Sequence, residues 1–123
     1  MISSRITAKN QFWFYELVSF EVGTDKVFFG LLTDGFDQKV IDFTSSQELN
    51  LHEILGRIIG AINNLEEPSG LIIVSNLVMP LVEVFNKTLE GKVTMVKNDQ
   101  LANTFNDPVR KILIDKAKGL NLN

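Results

Sequence analysis

The chain has 123 residues, of which 45% are hydrophobic, and this is the size and composition of one compact globular domain. It contains no cysteine and one histidine, which excludes disulfides and thiol catalysis and argues against a multi-histidine metal site. The 12 basic and 15 acidic residues give a net charge of −3, which does not favour nucleic acid as a partner, although a local basic patch would still allow it.

The apolar segments are too short and too interrupted to span a bilayer, and the first residues lack the apolar core of a signal peptide. We therefore expect a cytoplasmic protein with no membrane partner. Residues 1–10 show no clear period and are expected to form a mobile lead-in. A single domain is predicted over residues 11–119, followed by a short tail over residues 120–123.

Alternating aromatic and β-branched residues predict three antiparallel strands at the start of the domain. In the first strand, the period of two places Glu16 in a row of apolar side chains. Asp34-Gly35 is a strong hairpin signal between the second and third strands. The predicted strands run from Gln11 to Val22, from Val27 to Thr33 and from Lys39 to Phe43.

A helix is predicted after these strands. Ser45 and Glu48 have the spacing of a capping box, with Ser45 as the N-cap residue. Apolar residues then recur at helical spacing from Leu51 to Leu65, and Pro68 ends the pattern.

The segment from Gly70 to Asn76 contains an unbroken β-branched apolar run, which is typical of a strand buried on both faces of a parallel sheet. Since clefts in such sheets lie beyond the carboxyl ends of the strands, Ser75 and Asn76 are candidate site residues.

The remaining pattern predicts a helix from Met79 to Leu89, a strand from Lys92 to Lys97, a polar loop, and a last helix from Pro108 to Gly119 capped by Asn106 or Asp107. The order is βββαβαβα. It predicts an α/β protein of the ribonuclease H-like fold, with a five-stranded mixed sheet flanked by helices.

Four segments in this order resemble motifs in the catalytic cores of retroviral-type integrases and insertion-sequence transposases. Trp13-Phe14-Tyr15-Glu16 resembles their W-x-x-D, and the hairpin from Leu31 to Ile41 is similar to their second hairpin with D-x-x-S-R-x. The strand from Leu71 to Asn76 resembles their strand ending in S-D-N-G. The segment from Lys97 to Lys118 resembles their loop and helix that carry D-N-x-x-x-E.

The resemblance implies a site where three carboxylates bind two divalent metal ions. Glu16 stands at the first of these positions, the neutral Asn76 at the second and Arg110 at the third. Asp107 is an alternative for the third position. Because an amide and a guanidinium are poor replacements for carboxylates, we expect no metal cofactor and a loss of strand-transfer chemistry. We expect Glu16 to pair with Arg110 or a lysine.

Three hypotheses follow from these departures. The first is a catalytically inactive integrase-core-like domain that acts as a binding or assembly module and descends from a mobile element. The second is a Mg²⁺-dependent nuclease that uses Glu16 with Asp107 or Asp115. The third is a small protein-interaction domain that shares only the fold. We also expect a homodimer formed through helix surfaces, with the Leu51–Leu65 stripe and Leu77, Val78 and Met79 as candidate contacts.

Overall fold

Strands and helices follow one another in the order βββαβαβ over residues 7–98, the part of the chain that the computed structural model describes. The elements are β1 (Phe12–Val22), β2 (Asp25–Asp34), β3 (Val40–Ser46), α1 (Leu51–Asn63), β4 (Ile72–Ser75), α2 (Met79–Leu89) and β5 (Thr94–Lys97). The predicted last helix, with Arg110, Asp107 and Asp115, lies outside the described residues.

The strands form one five-stranded mixed sheet in the order β3-β2-β1-β4-β5. β1, β2 and β3 pair antiparallel, while β1 pairs parallel with β4 and β4 parallel with β5. Parallel neighbours need a crossover, and α1 and α2 supply the two crossovers. The predicted fold class is confirmed: the chain is an α/β protein with a mixed sheet and flanking helices.

Both helices pack on one face of the sheet. Trp13 and Tyr15 of β1 lie in this core with the apolar faces of the helices. The helix residues buried there are Ile54, Leu55, Ile58, Ile62, Val82 and Phe85. The predicted stripe of α1 is therefore largely used in the core. The opposite face carries a second buried cluster around Phe14 and Val74.

A glycine in β2 makes room for a buried tyrosine. A Cβ atom built at Gly30 would collide with the Tyr15 hydroxyl and would lie 2.8 Å from Thr44 Oγ1. The Tyr15 side chain is almost completely buried. Burial, and then the nearby Asp42 carboxylate, raise the pKa of this phenol. The tyrosine therefore stays neutral and hydrogen-bonds with the Thr44 side chain.

The N-cap of α1 is Asn50, so the prediction of Ser45 as the cap was wrong. The Asn50 side-chain oxygen accepts a hydrogen bond from Glu53 N at 3.0 Å. Ser45 instead belongs to β3, where it pairs with Phe29 of β2. Because β2 is long, the ladder continues through Ser46 and takes up the residues that the capping-box pattern assigned to the helix.

A side chain binds the backbone of β5 on the side that faces away from β4. Asn86 of α2 donates from Nδ2 to Met95 O at 3.0 Å, and Met95 N donates to Asn86 Oδ1 at 2.7 Å. These Met95 groups point away from β4, since Thr94 N and Asn98 N supply the neighbouring bonds to that side. The amide thus takes the place of another strand at this edge.

Part of the predicted lead-in makes specific contacts. Asn10 N donates to Asp34 Oδ2 at 2.9 Å, and Lys9 Nζ lies 3.5 Å from Asp37 Oδ2. Lys9 and Asn10 are thereby tied to the end of β2 and to the turn that follows it. The mobility of the lead-in stays a prediction.

Candidate functional site

The carboxyl end of β4 lies beside the middle of β1, at the centre of the sheet. The last registered pair of the two strands is Tyr15 with Ser75, and Glu16 and Asn76 are the next residue on each strand. β1 and β4 are thus neighbours in the sheet. The two residues at the first and second integrase-like positions are therefore placed together by the parallel pairing.

Glu16 is a buried carboxylate, with 3% of its surface exposed. It is registered with Leu31 of β2 and lies on the face that also carries Phe14. Burial makes a charged carboxylate costly unless neighbouring groups compensate it. The predicted pairing of Glu16 with Arg110 concerns a residue outside the described range and stays a prediction.

The Asn76 side chain binds the backbone of β1. Leu17 N donates to Asn76 Oδ1 at 2.8 Å, and Asn76 Nδ2 donates to Leu17 O at 2.8 Å. This is the point at which the next ladder bond between β1 and β4 would form, since β4 ends at Ser75. The amide therefore extends the pairing by one step after the β4 backbone has left the sheet.

A lysine from β5 also reaches this end of the sheet. Lys97 Nζ donates to Leu77 O at 3.1 Å, in the segment that leads from β4 to α2. The same segment is fixed by Leu77 N, which donates to the Oγ atom of the fully buried Ser75 at 3.3 Å. An ammonium group thus lies one strand away from Asn76.

These residues do not fit a two-metal site. Magnesium requires anionic oxygen ligands in near-octahedral geometry. Where the pairing of β1 and β4 stops, Glu16 supplies one carboxylate, the Asn76 amide is bound to Leu17, and the Lys97 ammonium is bound to Leu77 O. Within residues 7–98 there is no group of three or more histidine, cysteine, aspartate or glutamate side chains arranged to hold a metal ion.

Sequence patterns identified Glu16 and Asn76 as candidates but missed two features of the site. The contact of Asn76 with Leu17 joins residues 59 positions apart, and no local pattern signals it. The sequence predicted Lys97 as the last residue of a strand. This position at a carboxyl end was the signal that could have placed Lys97 near the candidate site. Its partner Leu77 depends on how the chain leaves β4.

Helix lengths do not suit a membrane: none of the helices within residues 7–98 is long and apolar enough to cross one.

Comparison with known proteins shows a likeness in fold. No protein-family model and no curated protein matches the sequence. Among solved structures, the chain is similar to the HTLV-2 integrase catalytic core domain in complex with magnesium. The dimeric form matches with a TM-score of 0.60 and 15% identity, over 94% of this chain and 78% of that one. The trimeric form matches with a TM-score of 0.59 and 15% identity, over 88% and 71%.

A larger assembly contains a similar domain. A chain in the structure of the simian T-cell lymphotropic virus intasome in complex with the PP2A regulatory subunit B56 gamma matches with a TM-score of 0.54 and 16% identity. The match covers 89% of this chain and 37% of that chain, so the chain spans little more than a third of that structure's length. At these identities the likeness establishes the fold, which is that of integrase catalytic cores.

Proposed function

We propose that this chain is a catalytically inactive integrase-core-like domain that acts as a binding or assembly module and descends from a mobile element. The observation that carries the proposal is the use of Asn76. At the position where integrases carry a metal-binding carboxylate, this chain has an amide whose oxygen and nitrogen both bind the Leu17 backbone. An amide in this role stabilises the sheet and supplies no anionic oxygen to a metal ion.

The electrostatics of the strand ends support the same proposal. Two-metal catalysis needs several negative charges to hold the cations and to stabilise the attacking and leaving oxygens. Here Lys97 is held at the same end of the sheet by its bond to Leu77 O. Its positive charge at this level of the sheet supplies no ligand for a divalent cation.

The buried carboxylate favours a second candidate, a metal-dependent nuclease that uses Glu16 with Asp107 or Asp115. The residue at the first integrase-like position, Glu16, is acidic and is buried in the fold. Buried carboxylates are found at catalytic sites as well as in structural networks. A nuclease of this type would bind Mg²⁺ through carboxylates only.

Exposed apolar residues favour a third candidate, a small protein-interaction domain that shares only the fold. Val78, Met79 and Val84 of the α2 region are each about half exposed, at 54%, 45% and 53%. Apolar side chains gathered near one helix are candidate contacts for another protein, including a second copy of the chain. We therefore include a homodimer in the proposed function.

A cleavage assay separates the inactive module from the nuclease. The purified chain is incubated with labelled single-stranded, duplex and RNA–DNA hybrid substrates in Mg²⁺ or Mn²⁺, beside an active nuclease of the same fold as a positive control. We expect no cleavage by this chain. Metal-dependent cleavage that disappears in Glu16→Gln would overturn the proposal in favour of the nuclease.

A binding assay then addresses the module itself. Fluorescence anisotropy with the same substrates reports nucleic-acid binding, which weakens steeply with salt when phosphates are contacted. With a net charge of −3 we expect weak binding that is lost at moderate salt. Tight binding without cleavage would identify nucleic acid as the partner of the inactive module.

A further inference from the structure

A cleft of about 390 Å³ lies between the β2–β3 hairpin and the C-terminal end of α1. This is within the range of roughly 300–1,000 Å³ found for small-molecule sites. It opens near the start of β1, on the amino-terminal side of Glu16 and Asn76. Its floor is apolar, because the fully buried Trp13 lies there with Ile41, Ala61 and Leu65.

The hydrogen-bond acceptors of Asp34, on the wall of the cleft, are already engaged. Its Oδ2 accepts from Asn10 N at 2.9 Å and its Oδ1 from Phe36 N at 2.8 Å. The side-chain oxygen of Asn10 is also used, since it accepts from Trp13 Nε1 at 3.0 Å. These hydrogen bonds fix the position of the cleft wall.

The acceptors of Asp37 are engaged as well. Lys39 N donates to Asp37 Oδ1 at 3.0 Å, and Lys9 Nζ lies 3.5 Å from Oδ2. The backbone hydrogen bond, together with the charge of Lys9, lowers the pKa of Asp37, so this carboxylate stays ionised and paired.

Two carbonyl groups at the end of α1 already accept hydrogen bonds as well. Asn64 N donates to Ala61 O and Ile62 O, and Leu65 N donates to Ile62 O at 2.9 Å. A helix C-terminus would otherwise favour a cation through its exposed carbonyls. Capping by the following residues reduces this preference.

Donors, in contrast, remain available around the opening. Within residues 7–98, the Lys39 ammonium and the side-chain nitrogens of Asn10 and Asn64 have no hydrogen-bond partner. All three residues line the cleft and are exposed to solvent. The cleft therefore combines an apolar floor with donors above it, and one of these donors is a cation.

We propose that this cleft binds a small molecule that carries one carboxylate on an apolar body. The carboxylate accepts hydrogen bonds from Lys39 and from the Asn10 and Asn64 amides. The apolar body lies on Trp13 and Ala61. This site is independent of the strand ends that carry Glu16 and Asn76, so it does not depend on whether the chain is a nuclease or an inactive module.

The probe is 3-phenylpropionate, titrated into the ¹⁵N-labelled full chain and followed by NMR. We expect saturable shifts of the Trp13 indole N–H and of the Ala61 and Asn64 amides. The uncharged 3-phenylpropanamide should bind about tenfold more weakly, because it loses the charge-assisted bond to Lys39. Lys39→Gln should weaken the binding of 3-phenylpropionate to the same extent. Lys92 is an exposed lysine away from the cleft, so Lys92→Gln should leave this binding unchanged.

Three outcomes would overturn the proposal. The first is the absence of shifts at these residues at millimolar probe. The second is equal binding of the acid and the amide, or no effect of Lys39→Gln. The third is about tenfold tighter binding of an acetylated tripeptide that ends in a free phenylalanine carboxylate, which would identify a peptide C-terminus as the occupant.

Ala61→Phe, which fills the floor of the cleft, should abolish the shifts. Lys39→Gln tests the same site without changing the core.

Discussion

The side-chain amide of Asn76 forms two hydrogen bonds with the backbone of Leu17, each 2.8 Å long. This amide completes the parallel pairing of β1 and β4 after the β4 backbone has ended at Ser75. The same device appears at the edge of the sheet, where Asn86 binds both backbone groups of Met95. In each case an asparagine acts as a substitute strand, which requires a donor and an acceptor on one side chain.

Asn76→Asp should destabilise the protein and should not create a metal site. A carboxylate keeps the acceptor for Leu17 N but cannot donate to Leu17 O, so two oxygens face each other in a part-buried position. We expect a loss of about 1–3 kcal/mol in the free energy of unfolding at neutral pH, measured by urea denaturation. The loss should shrink at low pH, because a protonated carboxyl group can donate to Leu17 O.

The matched control for this prediction is Gln47→Glu, which makes the same amide-to-acid change at an exposed residue in the segment before α1. Its stability should stay within about 0.5 kcal/mol of the parent chain. If Asn76→Asp were as stable as this control, or gained Mg²⁺-dependent nuclease activity, the structural role assigned to the amide would be wrong.

Gly30→Ala should disrupt the core on the helix side of the sheet. The added methyl group meets the Tyr15 hydroxyl and approaches Thr44 Oγ1, and the tyrosine is held between β2 and the core. We expect a loss of about 1–3 kcal/mol in the free energy of unfolding, by thermal or urea denaturation. Tyr15→Phe in the same chain removes the colliding oxygen and should recover part of this loss.

Gly60→Ala provides the opposite expectation within the same protein. Gly60 lies in α1 with open space around a built Cβ atom. Because alanine favours the helix more than glycine does, this change should stabilise the protein by about 0.5–1 kcal/mol. Equal effects of the two alanine substitutions would contradict the steric explanation for Gly30.

The order of the elements and the sheet class could be predicted from the sequence because both depend on residue periodicity. Alternation along β1 and the apolar run of β4 identified two strands that are far apart in the chain, and their pairing agrees with the predicted fold. The N-cap could not be predicted, because the local capping pattern at Ser45 competes with strand pairing to Phe29. Pairing of this kind depends on how long β2 is, which the local pattern does not contain.

The candidate site could be predicted only in part. Its location follows from topology, since Asn76 follows the carboxyl end of β4 and Glu16 lies beside it in the paired strand β1. The bonds of Asn76 to the backbone could not be derived, because the sequence does not show which donor and acceptor groups face this amide. Its bonds to Leu17 depend on where the β4 backbone leaves the sheet, and the position of Lys97 over Leu77 depends on the same exit.

Asn86→Ala should expose the edge of β5. The substitution leaves Met95 N and Met95 O without the side chain that binds them. We expect a loss of about 1–2 kcal/mol in the free energy of unfolding and faster hydrogen exchange at the Met95 amide. Thr88→Ala on the same helix, which removes only a bond to the helix carbonyl of Val84, is the control and should leave exchange at Met95 unchanged.

The last prediction concerns the homodimer. The α1 stripe is largely buried in the core, whereas Val78, Met79 and Val84 near α2 are about half exposed and are the contacts that we propose for a second copy. A second copy packed on these residues would remove them from water at a gain of about 25 cal/mol per Å² of apolar surface. We therefore expect a homodimer that is detectable by sedimentation equilibrium at micromolar concentration.

Val84→Glu should convert this dimer to the 13.8 kDa monomer, because a charge buried in the interface is costly unless it is paired. Phe36→Glu makes a similar change at a residue that is 49% exposed in the turn between β2 and β3, and it should leave the dimer intact. A parent chain that sediments as a single species at the monomer mass across the concentration range would contradict the homodimer. A dimer that survives Val84→Glu would place the interface on a different surface.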